Sequence, residues 1–353
     1  MKHPKLFRNM LPVFMLALLF ACTGQRNKKS ADQSGQSQPK EITVNAESQA
    51  LLNYLAEQGD YAGSRNFPSM IAASEVFAEL DSNNLIIDLR DKNTYEQGHI
   101  RGSVNVAFND LPDYFSNNIK PSGYKRIILV CHAGQISGYS TSLLRLMGYS
   151  NVYSMKWGMS SWNKKFAEDW WLSKVSNENQ DKIETTVNEK GSKNDLPVMH
   201  TGETTGKAIL AKRIKAVFAA GYRDAMIPAA DVFKDPSKYY ILNYDRRDKY
   251  ESGHIPGAIR YKPGETLGYK DEMETLPSDR DLVVYCNTGQ SSAFVTAYLR
   301  LFGYNAKSLL FGNNSFMHDR MVKDKKTLSW VPFTDADIEN YPYVKNQDGG
   351  SLR

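Results

Sequence analysis

Cysteine is scarce in this chain, with three among 353 residues. Three cysteines cannot form the disulfide framework of a small secreted domain, so the fold needs a hydrophobic core. An excess of one charge is also lacking, because 44 basic residues stand against 39 acidic ones. This balance does not favour a basic surface, and we expect no nucleic-acid partner. A content of 41% hydrophobic and 24% charged residues is typical of a folded globular protein.

Long apolar runs are lacking too. The run from Met10 to Ala21 would span about 18 Å as a helix, well short of a hydrocarbon core of roughly 30 Å. Basic residues precede it, which is the pattern of a signal peptide. It ends in Leu19–Cys22, which resembles the lipobox of bacterial lipoproteins, where the cysteine carries the lipid. The sequence predicts a lipid anchor on Cys22, holding the protein to a membrane of the bacterial envelope and facing the periplasm. The alternative is an ordinary signal peptide with a chance cysteine.

The chain repeats itself at a spacing of 155 residues. The segment from Tyr95 to Ser103 recurs from Tyr250 to Ala258, and Cys131 and Cys286 are separated by the same distance. A period of this length is that of a whole domain and is too long for a solenoid repeat. The sequence therefore predicts a duplicated domain, with one of the two remaining cysteines in each copy.

Each copy alternates strand patterns with helix patterns. Continuous apolar runs are typical of strands buried on both faces of a parallel sheet, and they occur at Leu85–Ile87, Ile127–Val130, Tyr240–Leu242 and Leu282–Tyr285. Helical spacing follows over 137–147 and 292–302, and each helix is ended by a glycine. We predict an α/β fold of two domains, each an open, mainly parallel sheet flanked by helices. The expected parts are a signal peptide (1–21), a tether (22–47), domain 1 (48–172), a linker (173–206), domain 2 (207–338) and a tail (339–353).

Each of these two cysteines lies between a predicted strand and a predicted helix. The two loops are Cys131, His132, Ala133, Gly134, Gln135, Ile136 and Ser137, and Cys286, Asn287, Thr288, Gly289, Gln290, Ser291 and Ser292. Such junctions at the carboxyl edge of a parallel sheet are where α/β folds place ligands. A glycine lets the backbone curl, so that loop amides and the helix N-terminus form a cradle that favours an anion. We expect a nucleophilic sulfur at the rim of each cradle.

With these loops, the Gly-His-Ile segments and Gly158 and Gly312, the sequence resembles the rhodanese family in tandem, over roughly 67–166 and 226–320. The resemblance implies a sulfurtransferase without a metal or another cofactor. Cys131 and Cys286 would be the nucleophiles, and the two loops would bind the substrate. Each cysteine would take a sulfane sulfur from a donor, hold it as a persulfide and pass it to a thiol or to cyanide.

Some features depart from the family pattern. Asn243 and Asp245 stand where the first copy has Asp88 and Arg90, and neither loop contains lysine or arginine. Without a basic loop residue the thiosulfate dianion loses a charge-assisted contact, which favours polysulfide or persulfide donors, although thiosulfate stays a candidate. The absence of an arginine at the loop end argues against a phosphatase. The alternatives left open are a docking or redox-sensing module without catalysis, structural buried cysteines, and a disulfide between the two loops.

Further side chains invite a functional interpretation. We expect His99 and His254 to be structural histidines, because neither lies in a cluster with metal-ligand spacing. Two roles are open to the loop glutamines Gln135 and Gln290, lining the pocket or hydrogen-bonding the backbone of their own loops, and we expect the second. Trp157, Trp162, Trp170 and Trp171 are expected to pack in the core or between the domains. Thr288 and Ser291 stand where the first loop has Ala133 and Ile136, so we expect the Cys286 domain to be the better sulfurtransferase.

Overall fold

A computed structural model describes residues 44–268, 272–324, 326–327 and 329–346. The predicted signal peptide and Cys22 lie outside these residues. Within the described ranges, no helix has both the length and the apolar character needed to cross a membrane. All the described residues belong to one compact unit.

Two five-stranded parallel sheets organise the chain. The first contains β1 (Met70–Ile71), β2 (Asn84–Asp88), β3 (Val104–Asn105), β4 (Arg126–Val130) and β5 (Val152–Met155), in the order β1-β5-β4-β2-β3. The second contains β6 (Met226–Ile227), β7 (Tyr240–Asn243), β8 (Ile259–Arg260), β9 (Leu282–Tyr285) and β10 (Ala306–Leu309), in the order β6-β10-β9-β7-β8. The predicted α/β fold with two mainly parallel sheets is therefore confirmed.

Helices flank both sheets. In the first copy they are α1 (Ala46–Glu57), α2 (Ala73–Ala78), α3 (Lys92–Gln97), α4 (Leu111–Asp113), α5 (Gln135–Leu146), α6 (Met159–Trp162), α7 (Lys164–Ala167) and α8 (Trp171–Lys174). In the second copy they are α9 (Gly206–Ala220), α10 (Ala229–Lys234), α11 (Arg247–Ser252), α12 (Gln290–Leu301) and α13 (His318–Lys323). The helices after the cysteine loops begin two residues earlier than the sequence predicted.

The two copies share one hydrophobic core. Helices α5 and α12 pack against each other across the boundary, and their buried side chains belong to the same apolar cluster. Gly138 permits this approach, because a Cβ atom there would lie 3.0 Å from the ring of Phe294. The Ser142 hydroxyl donates a hydrogen bond to the carbonyl of Phe294 at 2.9 Å. The copies are thus joined by a packed helix pair rather than by a linker alone.

Each copy is also crossed by the segment that leaves the other. In the predicted linker, Glu184 pairs antiparallel with His254 of the second copy. Near the C-terminus, Val344 pairs in the same way with His99 of the first copy. The indole of Trp162 donates to the carbonyl of Pro342 at 2.9 Å, which fixes the returning segment against the first sheet's helices. The two exit segments therefore exchange between copies and hold them together.

Candidate active site

Both cysteines lie at the carboxyl end of the middle strand of a sheet. Cys131 follows β4 and Cys286 follows β9. Gly134 and Gly289 then adopt left-handed backbone conformations, with φ of 80° and 72°, and the helices begin at the next residue. Glycine adopts this conformation without steric cost. The turn brings the first amides of each helix back toward the sulfur.

The first sulfur is surrounded by hydrogen-bond donors. The amides of Gly134 and Ser137 donate to Cys131 Sγ at 3.2 and 3.4 Å. The Ser137 hydroxyl lies 3.4 Å from the same sulfur. Amide and hydroxyl donors in these positions can hydrogen-bond a negatively charged sulfur bound at this site. The expected cradle is present at Cys131.

The second sulfur has a related but sparser set of contacts. The amide of Ser292 donates to Cys286 Sγ at 3.4 Å. The Thr288 hydroxyl accepts a hydrogen bond from the amide of Gln290 at 3.3 Å, so it supports the start of the helix. Both cysteines are free thiols and each is 3% exposed. This state gives no support to the disulfide interpretation.

A second layer of serines supports the two loops, and the sequence reasoning missed it. The hydroxyls of Ser137 and Ser154 lie 2.8 Å apart, and those of Ser292 and Ser308 lie 2.8 Å apart. Ser154 and Ser308 also donate to the carbonyls of the two loop glycines at 3.4 Å. These serines lie on β5 and β10. Their spacing of 154 residues, close to that of the repeat, is the signal that could have found them.

The two loop glutamines bridge the copies, which corrects the prediction that they bond their own loops. Gln135 accepts a hydrogen bond from the amide of Phe311 in the second copy at 3.1 Å. Gln290 accepts one from the amide of Trp157 in the first copy at 2.7 Å. The contact is reciprocal, because each glutamine bonds the residue that precedes Gly158 or Gly312, the two glycines that correspond in the repeat. The two cysteine loops are therefore held by one shared set of interdomain contacts.

Gly158 and Gly312 sit directly behind the cysteine loops. A Cβ atom would lie 2.2 Å from the carbonyl oxygen of Cys131 at Gly158, and 2.0 Å from that of Cys286 at Gly312. The amide of Asn313 then donates to the Cys286 carbonyl at 3.0 Å. This close backbone approach holds the loop in its curled form.

The Cys131 side opens into a pocket of about 650 Å³ between the two copies. Its lining comes from the first loop, from 170–179 and from the second copy: Cys131, His132, Ala133, Gln135, Ile136, Trp170, Ser173, Lys174, Val175, Ser176, Glu178, Asn179, Tyr222, Met226, Pro228, Ala229, Ala230, Leu310, Phe311 and Ser315. His132 stacks on Trp170 with ring centroids 4.0 Å apart. Burial lowers the pKa of His132 to about 4, so its ring is neutral at pH 7 and forms part of the pocket wall.

The Cys286 side opens into a smaller pocket of about 210 Å³. It too is completed by the other copy, and its lining is Pro68, Met70, Lys156, Tyr244, Asp245, Arg246, Lys249, Pro263, Cys286, Asn287, Thr288, Gln290, Ser291 and Val331. Lys156, Arg246 and Lys249 therefore bring positive charge to a loop that contains none. The inference that the missing loop cations disfavour thiosulfate does not hold at this cysteine.

The departure from the family pattern at Asn243 and Asp245 changes an ion pair. In the first copy, buried Arg90 and Asp88 form a salt bridge of 2.6 Å. In the second copy, Asp245 faces Lys249 at 3.3 Å, and the side-chain amide of Asn313 donates to Asp245 at 3.2 Å. Burial raises the pKa of Asp245, and Lys249 opposes that rise. In the second copy, the ion pair of Asp245 and Lys249 therefore forms part of the wall of the Cys286 pocket.

The two glycine-flanked histidines are structural, as predicted. The His99 ring contacts the carbonyl of Tyr95 at 2.8 Å, and the His254 ring contacts that of Tyr250 at 2.7 Å. The His99 ring also stacks on the Tyr95 ring, and the His254 ring stacks on the Tyr250 ring. Within the described ranges, no group of three or more histidine, cysteine or acidic side chains is arranged to hold a metal ion.

The tryptophan prediction is confirmed for three of the four side chains. Trp162 is fully buried in the first copy, and Trp171 packs between the copies against Trp157 and Phe311. Trp170 differs, because it stacks on His132 and lines the Cys131 pocket. It was missed as a pocket residue because its contact partner is distant in sequence.

The chain is similar to a known domain family and to several known proteins. The model of the rhodanese-like domain family matches residues 72–165 and 230–318. A tRNA uridine(34) hydroxylase from Teredinibacter turnerae is 32% identical over 91 residues, which are 25% of this chain and 28% of that protein. The thiosulfate sulfurtransferase GlpE from Pseudoalteromonas translucida is 30% identical over 99 residues, which are 28% of this chain and 91% of that protein. A crystal structure of thiosulfate sulfurtransferase from Pseudomonas aeruginosa is 20% identical, with 75% of this chain and 46% of that chain covered and a TM-score of 0.27.

The chain spans little more than a quarter of the hydroxylase and most of the length of the GlpE protein. The two family matches together cover more than half of the chain, and each contains one cysteine loop. The chain belongs to the rhodanese-like domain family, and it carries two such domains in tandem.

Proposed function

We propose that the protein transfers sulfane sulfur through a persulfide on Cys131 or Cys286. The observation that carries the proposal is the set of amides that donate to the buried sulfurs: those of Gly134 and Ser137 to Cys131, and that of Ser292 to Cys286. Donors of this kind stabilise a negative sulfur on the protein without a basic side chain in the loop. The similarity to a thiosulfate sulfurtransferase supports the same chemistry.

The reaction has two displacements. The cysteine thiolate attacks the sulfane sulfur of thiosulfate, a polysulfide or a persulfide, and forms a new S–S bond. The donor's S–S bond breaks, and its electron pair leaves with sulfite from thiosulfate, with a shorter polysulfide from a polysulfide, or with a thiolate from a persulfide. A thiol or cyanide then attacks the outer sulfur of the persulfide, and the cysteine leaves as a thiolate. No external oxidant is needed, because the sulfane sulfur moves between two nucleophiles.

The charges around Cys286 suit a small anionic donor. Lys156, Arg246 and Lys249 line its pocket, while Asp245 is engaged with Lys249. Charge-assisted hydrogen bonds to an oxyanion are stronger than neutral ones. We therefore propose thiosulfate as a donor at this cysteine.

Arg246→Gln is expected to raise the KM for thiosulfate about threefold to tenfold, because an exposed cation near a dianion contributes modestly. The effect should shrink as ionic strength rises, since salt screens exposed charges. Steady-state kinetics with cyanide as the acceptor would measure both effects.

Arg247→Gln is the matched control for this experiment. Arg247 is as exposed as its neighbour and pairs with Glu251 at 3.1 Å, but it does not line the pocket. We expect it to leave the KM for thiosulfate unchanged. An equal effect of both substitutions would show only a general loss of positive charge, and the proposed contact at Arg246 would be rejected.

We also propose that the protein works at the bacterial envelope, anchored through a lipid on Cys22. The support is sequence alone: a basic start, a short apolar run and a lipobox-like end at Cys22. Cys22→Ser should leave an uncleaved precursor or move the protein to the soluble fraction. Membrane fractionation and the mass of the mature N-terminus would measure this. A variant that matures and partitions as the wild type does would exclude Cys22 as the anchor.

A further inference from the structure

The two cysteine pockets differ threefold in size. The cavity at Cys131 measures about 650 Å³, and that at Cys286 about 210 Å³. Pockets for small organic ligands measure roughly 300–1,000 Å³, so only the first falls in that range. An inorganic donor of a few atoms would leave most of the larger cavity unfilled.

The pockets also differ in charge. Of the described residues, the lysine, arginine and acidic side chains that line the Cys131 pocket are Lys174 and Glu178, which balance each other. The wall is otherwise largely apolar, with Ile136, Met226 and Leu310 among its side chains. A small dianion gains little binding free energy in such a site, whereas an apolar carbon stem gains binding free energy when it is buried there.

One polar group in the larger pocket lacks a partner. Tyr222, from the second copy, is 6% exposed, and its hydroxyl has no hydrogen-bond partner among the described residues. Burial, and secondly the neighbouring Cys131 sulfur, raises the pKa of Tyr222 far above its usual range, so it stays a neutral donor. A buried donor without a partner is costly, and an incoming sulfur or oxygen would satisfy it.

We infer that Cys131 takes its sulfur from a donor with an uncharged carbon stem, of the class R–S–SH, while Cys286 takes it from a small inorganic anion. This assignment rests on the proposed sulfur transfer. The Cys131 thiolate attacks the outer sulfur of R–S–SH, and the Sγ–S bond forms as the donor's S–S bond breaks. The electron pair leaves with R–S⁻, and the proton stays on the transferred sulfur or passes to solvent. The stem R occupies the apolar wall, and the Tyr222 hydroxyl, which lines the same pocket as Cys131, can donate a hydrogen bond to the donor molecule.

Two stable probes separate the donor classes. Thiosulfate and benzenethiosulfonate carry the same sulfane sulfur, but the second has a phenyl group in place of one charged oxygen. Attack by the cysteine releases sulfite from the first and benzenesulfinate from the second. The full-length Cys286→Ser variant reports loading of Cys131, and Cys131→Ser reports loading of Cys286. For each variant, peptide mass mapping gives the loading rate with benzenethiosulfonate and the loading rate with thiosulfate. We expect the first rate divided by the second to be at least about tenfold higher at Cys131 than at Cys286.

Blocking the pocket tests where the stem binds. Ala230 lines the Cys131 pocket and is exposed, so Ala230→Trp narrows the cavity without burying the new ring. In the Cys286→Ser background it should lower loading from benzenethiosulfonate by about tenfold. Ser74→Trp is the matched control, because Ser74 holds the same position on α2 as Ala230 holds on α10 and is also exposed. It should leave loading unchanged.

The possible results distinguish the assignment of donors to the two cysteines from the proposed sulfur transfer on which it rests. Equal donor ratios at the two cysteines would overturn the assignment and leave sulfur transfer intact. An Ala230→Trp variant that loads as fast as its control would overturn the placement of the stem. If neither cysteine gained sulfur from either probe, the proposed function itself would fail.

Discussion

Cys286→Ser is expected to remove most of the turnover of thiosulfate with cyanide, by at least about tenfold, because serine cannot form a persulfide. Cys131→Ser should cost far less with this donor. The difference follows from the pockets, since Lys156 and Arg246 face the Cys286 loop while the Cys131 pocket is apolar and balanced in charge. Steady-state rates of the wild type, both single variants and the double variant would measure it.

The single variants are matched controls for each other, because each removes one sulfur from the same position of a repeated loop. A loss mainly in Cys131→Ser would reverse the ranking of the two domains. The double variant should have no turnover above that of the free reactants. Turnover equal to the wild type in the double variant would exclude a cysteine mechanism.

Gly312→Ala is expected to lower the free energy of unfolding by at least about 2 kcal/mol and to stop sulfur loading at Cys286. Its backbone has a φ of 55°, and an added Cβ would lie 2.0 Å from the carbonyl oxygen of Cys286 and 2.7 Å from the amide nitrogen of Gly289. Both neighbours are backbone atoms of the loop, so the loop itself has to move. Urea denaturation and mass mapping after exposure to thiosulfate would measure the two effects.

Gly221→Ala is the control for Gly312→Ala. It separates the steric clash of the added Cβ atom from the cost of placing alanine at a positive φ. Gly221 also has a positive φ, of 76°, but no atom lies within 4 Å of the added Cβ. We expect it to cost about 1 kcal/mol and to leave loading of both cysteines unchanged. If Gly312→Ala cost no more than this control, the close approach behind the Cys286 loop would not support the site.

The repeat and the strands could be predicted because they depend on local pattern. The apolar runs before both cysteines are β4 and β9, and Leu282–Tyr285 matches the observed strand residue for residue. The helices were predicted to begin at Ser137 and Ser292, two residues late. The left-handed glycine before each helix allows it to begin at the glutamine, and a period of hydrophobic residues does not show that turn.

The contacts between the copies could not be predicted. Gln135 bonds an amide 176 residues away, and Gln290 bonds one 133 residues away. A pattern in sequence does not show which distant backbone group will be opposite a side chain. The same limit applies to the charge at Cys286, because Lys156 comes from the other copy and Arg246 from a different loop.

The exchange of exit segments between the two copies could not be predicted from the sequence either. The polar stretch after the first copy reads as a linker, since it has no periodic apolar face. In the structure, Leu196 and Met199 of this stretch are buried in the shared core, and Glu184 pairs with the second copy. The burial of such isolated apolar residues can be recognised only when the surface against which they pack is known.

Peptide mass mapping after exposure to sulfane-sulfur donors tests most directly whether the loop cysteines carry sulfur. The full-length protein would be exposed, in separate reactions, to thiosulfate, to a polysulfide and to benzenethiosulfonate, and then mapped by peptide mass. We predict one added sulfur atom on Cys131 and one on Cys286, both removed by cyanide. Unchanged masses at both cysteines with every donor, while the thiols stay free and the protein stays folded, would contradict the account.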